Sequence, residues 1–162
     1  MEQQEYAQRG YLREDFRLFH LKGAMEEQLD WHYHTFHKLI FFLGGQSGYG
    51  VEGRSYPLEP GDVILVPQGC VHRPEVAPGA PYERVILYLS PDYLARAGTA
   101  DCPLDSCFAL ATARFRFVLR PQEGRQALRR TLFALESASA QPGFGQELLA
   151  KALLTQLLIL LR

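Results

Sequence analysis

The sequence is short of cysteine, and the three it has, Cys70, Cys102 and Cys107, form no C-x-x-C pair. Neither a disulfide scaffold nor a zinc ribbon is indicated, and a reducing cytoplasm is the expected compartment. Excess positive charge is absent too: 17 Lys and Arg face 18 Asp and Glu, for a formal net charge of -1. Such a balance supplies no general attraction to a phosphate backbone. Arg114, Arg116, Arg120, Arg125, Arg129 and Arg130 do cluster. The helices near them nonetheless lack the polar residues that a recognition helix turns toward base edges, and Glu123 and Glu136 fit a solvated, charge-balanced face. Residues 1–9 are polar and carry no apolar core of the kind a secretory leader needs. The most apolar segment, residues 148–161, is broken by Lys151, Thr155 and Gln156. It falls short of the roughly 20 apolar residues that cross a bilayer, so no membrane partner is expected.

What is present is one domain's worth of chain, 162 residues with 47% apolar and 22% charged side chains. Two histidine-bearing stretches organise it. In Trp31-His32-Tyr33-His34-Thr35-Phe36-His37-Lys38, alternation along a strand puts His32 and His34 on one face. The second stretch, Pro60-Gly61-Asp62 to Pro67-Gln68-Gly69-Cys70-Val71-His72, offers His72 from a neighbouring strand. Three imidazoles on the inner wall of a small barrel follow. From Lys38 to Leu43 both alternating sets are apolar, which predicts a strand covered on both sides, with Ile40 and Phe42 sharing the face of His32 and His34.

Short strands punctuated by glycine and proline surround these stretches: Phe16 to Leu21, Tyr49 to Glu52, Ser55 to Leu58, Val63 to Val66, Cys70 to Val76 and Tyr82 to Leu89. At Ser90-Pro91-Asp92 a serine cap followed by proline starts helical structure. Residues 97–120 have little pattern beyond Arg114-Phe115-Arg116-Phe117-Val118-Leu119, which reads as a short strand or an extended connection. Pro121 is expected to open a second helix carrying Leu128, Leu132 and Leu135, and Pro142-Gly143 separates it from a third. The reading is a mainly β chain with an N-terminal arm over 1–15, a barrel over 16–90, and two to three helices over 91–162.

The last helix is apolar almost all round, with Glu147, Lys151 and Thr155 marking one polar stripe. A helix of this kind needs partners on more than one side, and homodimerisation through it is expected, against the alternative of a helix sandwiched within its own domain. It also shows no stop signal before Arg162, so the helix reads as continuing.

The spacing Gly61, five residues, Pro67-x-Gly69, two residues, His72, after a His-x-His segment ending in Gly44-Gly45, resembles the two-motif pattern of cupin barrels. Cupins commonly add a glutamate four residues after the second histidine, and Lys38 stands at that position here. The stretches His32 to Gly45, Tyr56-Pro57-Leu58-Glu59-Pro60-Gly61-Asp62 and Val85 to Leu94 are closer still to the N-terminal sensing domain of AraC-type transcriptional regulators. The resemblance implies a cupin-like (jelly-roll) barrel that binds a small-molecule effector, an arm that responds to it, and a DNA-binding helix-turn-helix domain outside this chain. No catalysis is expected from it. The alternative is a stand-alone cupin metalloenzyme, an oxygenase or isomerase.

The residues expected to meet an effector are His32, His34, Lys38, Phe42, His72, Arg84 and Tyr88. His32, His34 and His72 form a donor set for zinc, nickel or iron, with water completing the shell, or else line the cavity without metal. A β-bulge bringing His37 inward would add a fourth imidazole. Lys38 and Arg84 either neutralise an anionic guest or reach out at the barrel rim. Phe42 and Tyr88 suit the wall of a small-molecule site. His20 reads as a surface or satisfied strand histidine, and Cys70 as a small buried hydrophobe.

Overall fold

A computed structural model describes residues 6–25 and 29–162; residues 1–5 of the arm and Glu26-Glu27-Gln28 lie outside the described residues. Two five-stranded sheets face each other. The first runs β1 (Ala7–Gln8), β3 (His32–Tyr33), β8 (His72–Glu75), β5 (Gly48–Val51), β6 (Arg54–Pro57), and the second β10 (Val118–Leu119), β7 (Val63–Val66), β4 (His37–Gly45), β9 (Tyr82–Leu89), β2 (Phe16–Leu21). A double-sheet barrel followed by helices is the fold class expected from the sequence.

The expected continuous strand through the first histidine stretch is instead two strands. The chain bends at Thr35 and Phe36, so that β3 lies in the first sheet and β4 in the second. Alternation survives the bend. Register places Lys38 opposite Tyr88 and Val66, and Ile40 opposite Ile86 and Ile64, on the face turned toward the first sheet. Leu39, Phe41 and their partners Leu87, Val85, Leu65 and Val63 take the opposite face, against the helices. β4 is thus covered on both sides, with Leu39, Ile40, Phe41 and Phe42 all buried. Full burial of one such side chain contributes about 1.5–3 kcal/mol, which makes this strand the spine of the core.

Beyond β9, Ser90 caps α1 (Pro91–Ala97) by accepting the Tyr93 N–H at 3.2 Å, with proline in the first turn as expected. The chain then forms α2 (Ser106–Arg114), which the sequence did not announce, so the described residues hold four helices where two to three were expected. Its cap residue Asp105 makes no side-chain capping bond, and the helix is held instead by burying Cys107, Phe108 and Ala111. Pro121 does not open the next helix: residues 122–124 form a turn, and α3 (Arg125–Ala140) begins after Gly124, whose φ is +70. Leu128, Leu132 and Leu135 are buried on α3 as expected, and α4 (Gln146–Leu160) packs along it through Leu154, Leu157 and Leu158. No helix of the described residues is long and apolar enough to cross a membrane.

One buried carboxylate fastens the segment after β10 to the turn before β7. Asp62, 1% exposed, accepts a two-pronged pair of bonds from the Arg120 guanidinium at 2.9 Å each and the Glu59 N–H at 2.8 Å. The planar fork of arginine matches both carboxylate oxygens at once, holding β10 against β7.

The hairpin joining β4 to β5 depends on Gly45, whose φ of +108 is a conformation that side chains rarely adopt. A Cβ there would also run into the Pro81 carbonyl on β9's approach. Gly45→Ala is expected to cost about 2 kcal/mol or more, since positive-φ strain and a backbone clash add. A urea midpoint lowered at unchanged slope checks this; an unaltered midpoint would contradict it.

Candidate functional site

Inside the barrel the histidines converge. His32 pairs with His72 across β3 and β8, and His34 leaves β3 just before the bend. Ring centroids lie 4.4 Å apart for His32 and His72, 4.7 Å for His34 and His72, and 5.1 Å for His32 and His34. One nitrogen of each ring lies within 4.8 Å of the corresponding atom in the others. All three side chains are buried, His72 to 0% exposure.

Each ring is oriented by its other nitrogen. His32 Nδ1 bonds the Asp30 carbonyl at 2.7 Å, His72 Nδ1 the Cys70 carbonyl at 2.9 Å, and His34 Nδ1 the Arg9 carbonyl. A carbonyl only accepts, so each Nδ1 carries the proton and each Nε2 keeps its lone pair. The Nε2 atoms of His34 and His72 are buried with no hydrogen-bond partner. Burial holds all three below the ordinary histidine range, with the positive charge of Lys38 acting in the same direction: His34 is pulled down to about 4 and His72 to about 2. Neutral imidazoles with anchored Nδ1–H and free Nε2 are what a divalent ion requires of its ligands, so the donor set fits a metal.

Lys38 reaches the same interior from the opposite sheet. It is 8% exposed, and its Nζ donates to the Tyr49 hydroxyl at 3.4 Å and lies 6.0 Å from the ring centroids of both Tyr49 and Tyr88. Tyr88 is 5.9 Å from His34 and 4.6 Å from Phe36 by ring centroid, and Tyr49 stacks on His72 at 6.2 Å. His32, His34, His72, Lys38 and Tyr88 are therefore brought together. Phe42 stands one step away on the same face, with Tyr82 at 6.1 Å. Arg84 does not join them: its guanidinium lies over the Tyr82 ring at 4.2 Å and donates to the carbonyls of Gly23 and Tyr82 at the rim. Those acceptors satisfy it at the margin, so it acts on Lys38 only through the field.

Two further expectations are corrected. His37 is buried, but it faces the helices, stacking on Phe108 at 4.2 Å and accepting the Gln68 N–H at 3.0 Å. The bulge in β4 lies beyond it, between Phe42 and Gly44, too late to turn it inward. The interior is also filled by touching rings rather than standing open. A cleft of about 650 Å3 lies outside the barrel, between residues 14–18 and the turn joining α3 to α4.

Tyr49 and Arg9 were not singled out from the sequence. Tyr49 alternates with Val51 on a short strand, a signal that was available. Arg9 contributes a backbone carbonyl, which no residue type marks. Within the described part of the arm, β1 runs parallel to β3 with Ala7 opposite His32 and Gln8 opposite Tyr33.

The depressed histidines set a pH dependence. Their folded pKa values lie below 6.5, so the unfolded chain takes up protons first as pH falls. Stability is fully present above about pH 6.5 and is lost on acidification, down to about pH 4 for His34 and His37 and further for His72. In chelator-treated protein, His72→Asn is expected to make the fall of unfolding free energy below pH 6.5 shallower by about 1.4 kcal/mol per pH unit. Urea titrations across pH 4 to 7 read this, and parallel profiles for the two proteins would refute it.

Solved structures similar to the chain include a cupin-like protein from Thermotoga maritima, with 19% identity over 49% of this chain and 60% of that one and a TM-score of 0.43. A cupin 2 conserved barrel domain protein from Salinispora arenicola gives 16% identity over 52% and 71%, with a TM-score of 0.43. A DMSP lyase from Ruegeria pomeroyi gives 20% over 48% and 39%, with a TM-score of 0.42. No curated protein is close enough in sequence to match. Residues 18–158 match the AraC-like ligand binding domain, a span from β2 through nearly all of α4, and the chain belongs to that family.

Proposed function

We propose that the chain is the effector-sensing and dimerisation part of an AraC-type transcriptional regulator, and that its small molecule is received between the inner faces of the two sheets. The observation that carries this is a cluster of polar groups sealed inside an apolar barrel: two histidine nitrogens without partners, and a lysine at 8% exposure. Burying polar groups unsatisfied costs stability, and a guest that bonds them recovers it. An anionic guest suits Lys38, whose ammonium has no carboxylate against it among the described residues.

Because rings fill the interior, a guest enters by displacing side chains or the arm. The bond from His34 to the Arg9 carbonyl ties the arm to the site, so a guest that engages His34 bears directly on how the arm is held. An effector shifts the arm only in so far as it binds one arrangement better than the other. DNA contact, in this reading, belongs to a helix-turn-helix domain joined to this one, and the compartment is the cytoplasm.

Dimerisation rests on α4. In its polar stripe the half-buried Lys151 pairs with Asp15 at 3.3 Å and with the exposed Glu147 at 3.4 Å. Several apolar side chains of α4 are left to solvent: Leu148, Leu149, Ile159 and Leu160 are exposed, and half-buried Leu153 lies between them along the helix. Leu157, at 0% exposure, belongs to the domain's own core.

A second reading, a metalloenzyme of the oxygenase or isomerase kind, is favoured by the histidine triad. His32, His34 and His72 would hold zinc, nickel or iron, which as a Lewis acid polarises an oxygen of a bound guest. Lys38 counts against it, adding positive charge where a fourth ligand would help.

Two outcomes are expected. Chelator-treated protein is stabilised in thermal melts by small carboxylates, and Lys38→Met weakens that binding about 10-fold, the worth of one charge-assisted hydrogen bond. A response that needs added metal and comes with turnover would favour the enzyme. In sedimentation, Leu149→Glu with Leu160→Glu yields a monomer from a dimeric parent; an unchanged dimer mass would exclude this face as the seam.

A further inference from the structure

The chain has three lysines, Lys22, Lys38 and Lys151. Lys22 meets Glu83 at 3.7 Å, and Lys151 meets Asp15 and Glu147 at 3.3 and 3.4 Å. Lys38 is the exception among the described residues: it is the most buried of the three and has no carboxylate partner. A lysine in such a place is stabilised by losing its proton, because an unpaired ammonium in an apolar interior is costly. Its surroundings are those of a nucleophile: two aromatic rings beside Nζ, and the Tyr49 hydroxyl at 3.4 Å. Desolvation, with Arg84 acting in the same sense, brings its pKa down to about 8, so an appreciable neutral fraction exists near neutral pH. Burial of the Tyr49 hydroxyl, next to Tyr82 and Tyr88, raises its pKa well above the ordinary range, so it keeps its proton to lend.

We infer that Lys38 captures a small aldehyde or ketone as a reversible imine, making this domain a covalent carbonyl sensor. The inference rests on the reading of the barrel interior as the effector site. The neutral Nζ attacks the carbonyl carbon, its lone pair forming the C–N bond as the carbonyl π pair moves to oxygen. One nitrogen proton passes to that oxygen, with the Tyr49 hydroxyl as relay, to give the carbinolamine. The hydroxyl then leaves with the second nitrogen proton as water, and the nitrogen pair closes the C=N bond. Water re-adds to reverse it, and no redox partner is consumed. Desolvated lysines are suited to this chemistry because the amine is unprotonated where it is needed.

The scarcity of lysine makes the test sharp. Accessibility alone would order labelling as Lys22, with 75% of its side chain exposed, then Lys151 at 31%, with Lys38 last. The wild-type protein is incubated at neutral pH with propanal, and separately with benzaldehyde, in the presence of sodium cyanoborohydride, which reduces an imine to a stable secondary amine. Peptide mapping by mass spectrometry then reads each site. Lys38 is expected to be modified roughly ten-fold faster than Lys22, and Tyr49→Phe is expected to slow Lys38 while leaving Lys22 unaffected. Labelling in order of exposure, with Lys38 unmodified, would overturn the inference. If carboxylates still stabilise the protein in that case, only the imine falls; if they do not, the effector site falls with it.

Discussion

Three imidazole Nδ1–H groups bonded to backbone carbonyls hold the interior of this barrel in place. The acceptors come from distant parts of the chain: Asp30 before β3, Cys70 before β8, and Arg9 in the arm just after β1. Each bond fixes a tautomer and a ring plane, and together they aim three lone pairs at one region. Without them the rings would be polar groups in an apolar core with no defined orientation, at a cost in stability and uniqueness. The arm, the first sheet and the site are therefore one mechanical unit, since moving Arg9 removes the anchor of His34.

The second constraint is electrostatic. The triad offers neutral donors of the sort that suit a cation, while Lys38 brings positive charge to the same interior from β4. In a medium of low effective dielectric these tendencies oppose each other more strongly than they would in water. A divalent ion there would raise the positive charge further, whereas an anionic or carbonyl-bearing guest would relieve it. The orphaned Nε2 atoms and the unpaired amine thus describe the complement of a guest better than they describe a finished core.

The helical part shows a division of faces. α3 and α4 cover the second sheet with leucines, and the charged stripe of α4 closes back onto the arm through Asp15. Leu148, Leu149, Ile159 and Leu160 of α4 remain outside, exposed at both ends of the helix.

Much of this was readable beforehand. Ser90-Pro91 marks a helix start because a hydroxyl cap and a fixed φ satisfy the first turn locally, and Val63 to Val66 and Tyr82 to Leu89 read as strands from their own alternation. The alternation of His32, His34, Lys38, Ile40 and Phe42 likewise predicts a shared face, which held even through the bend at Thr35 and Phe36. Where the physics is not local, the residues are silent. α2 has little apolar contrast and exists because Phe108 has His37 to stack on; Arg84 turns to the rim because carbonyls await it there; His37 faces the helices because the bulge in β4 falls beyond it. Sequence alone decided which residues could line the interior, since side-chain period is a property of the backbone. Which of them meet, which are left without partners, and what tethers the arm to them were decided by the packing of the two sheets, because those contacts join segments far apart along the chain and exist only once it has closed on itself.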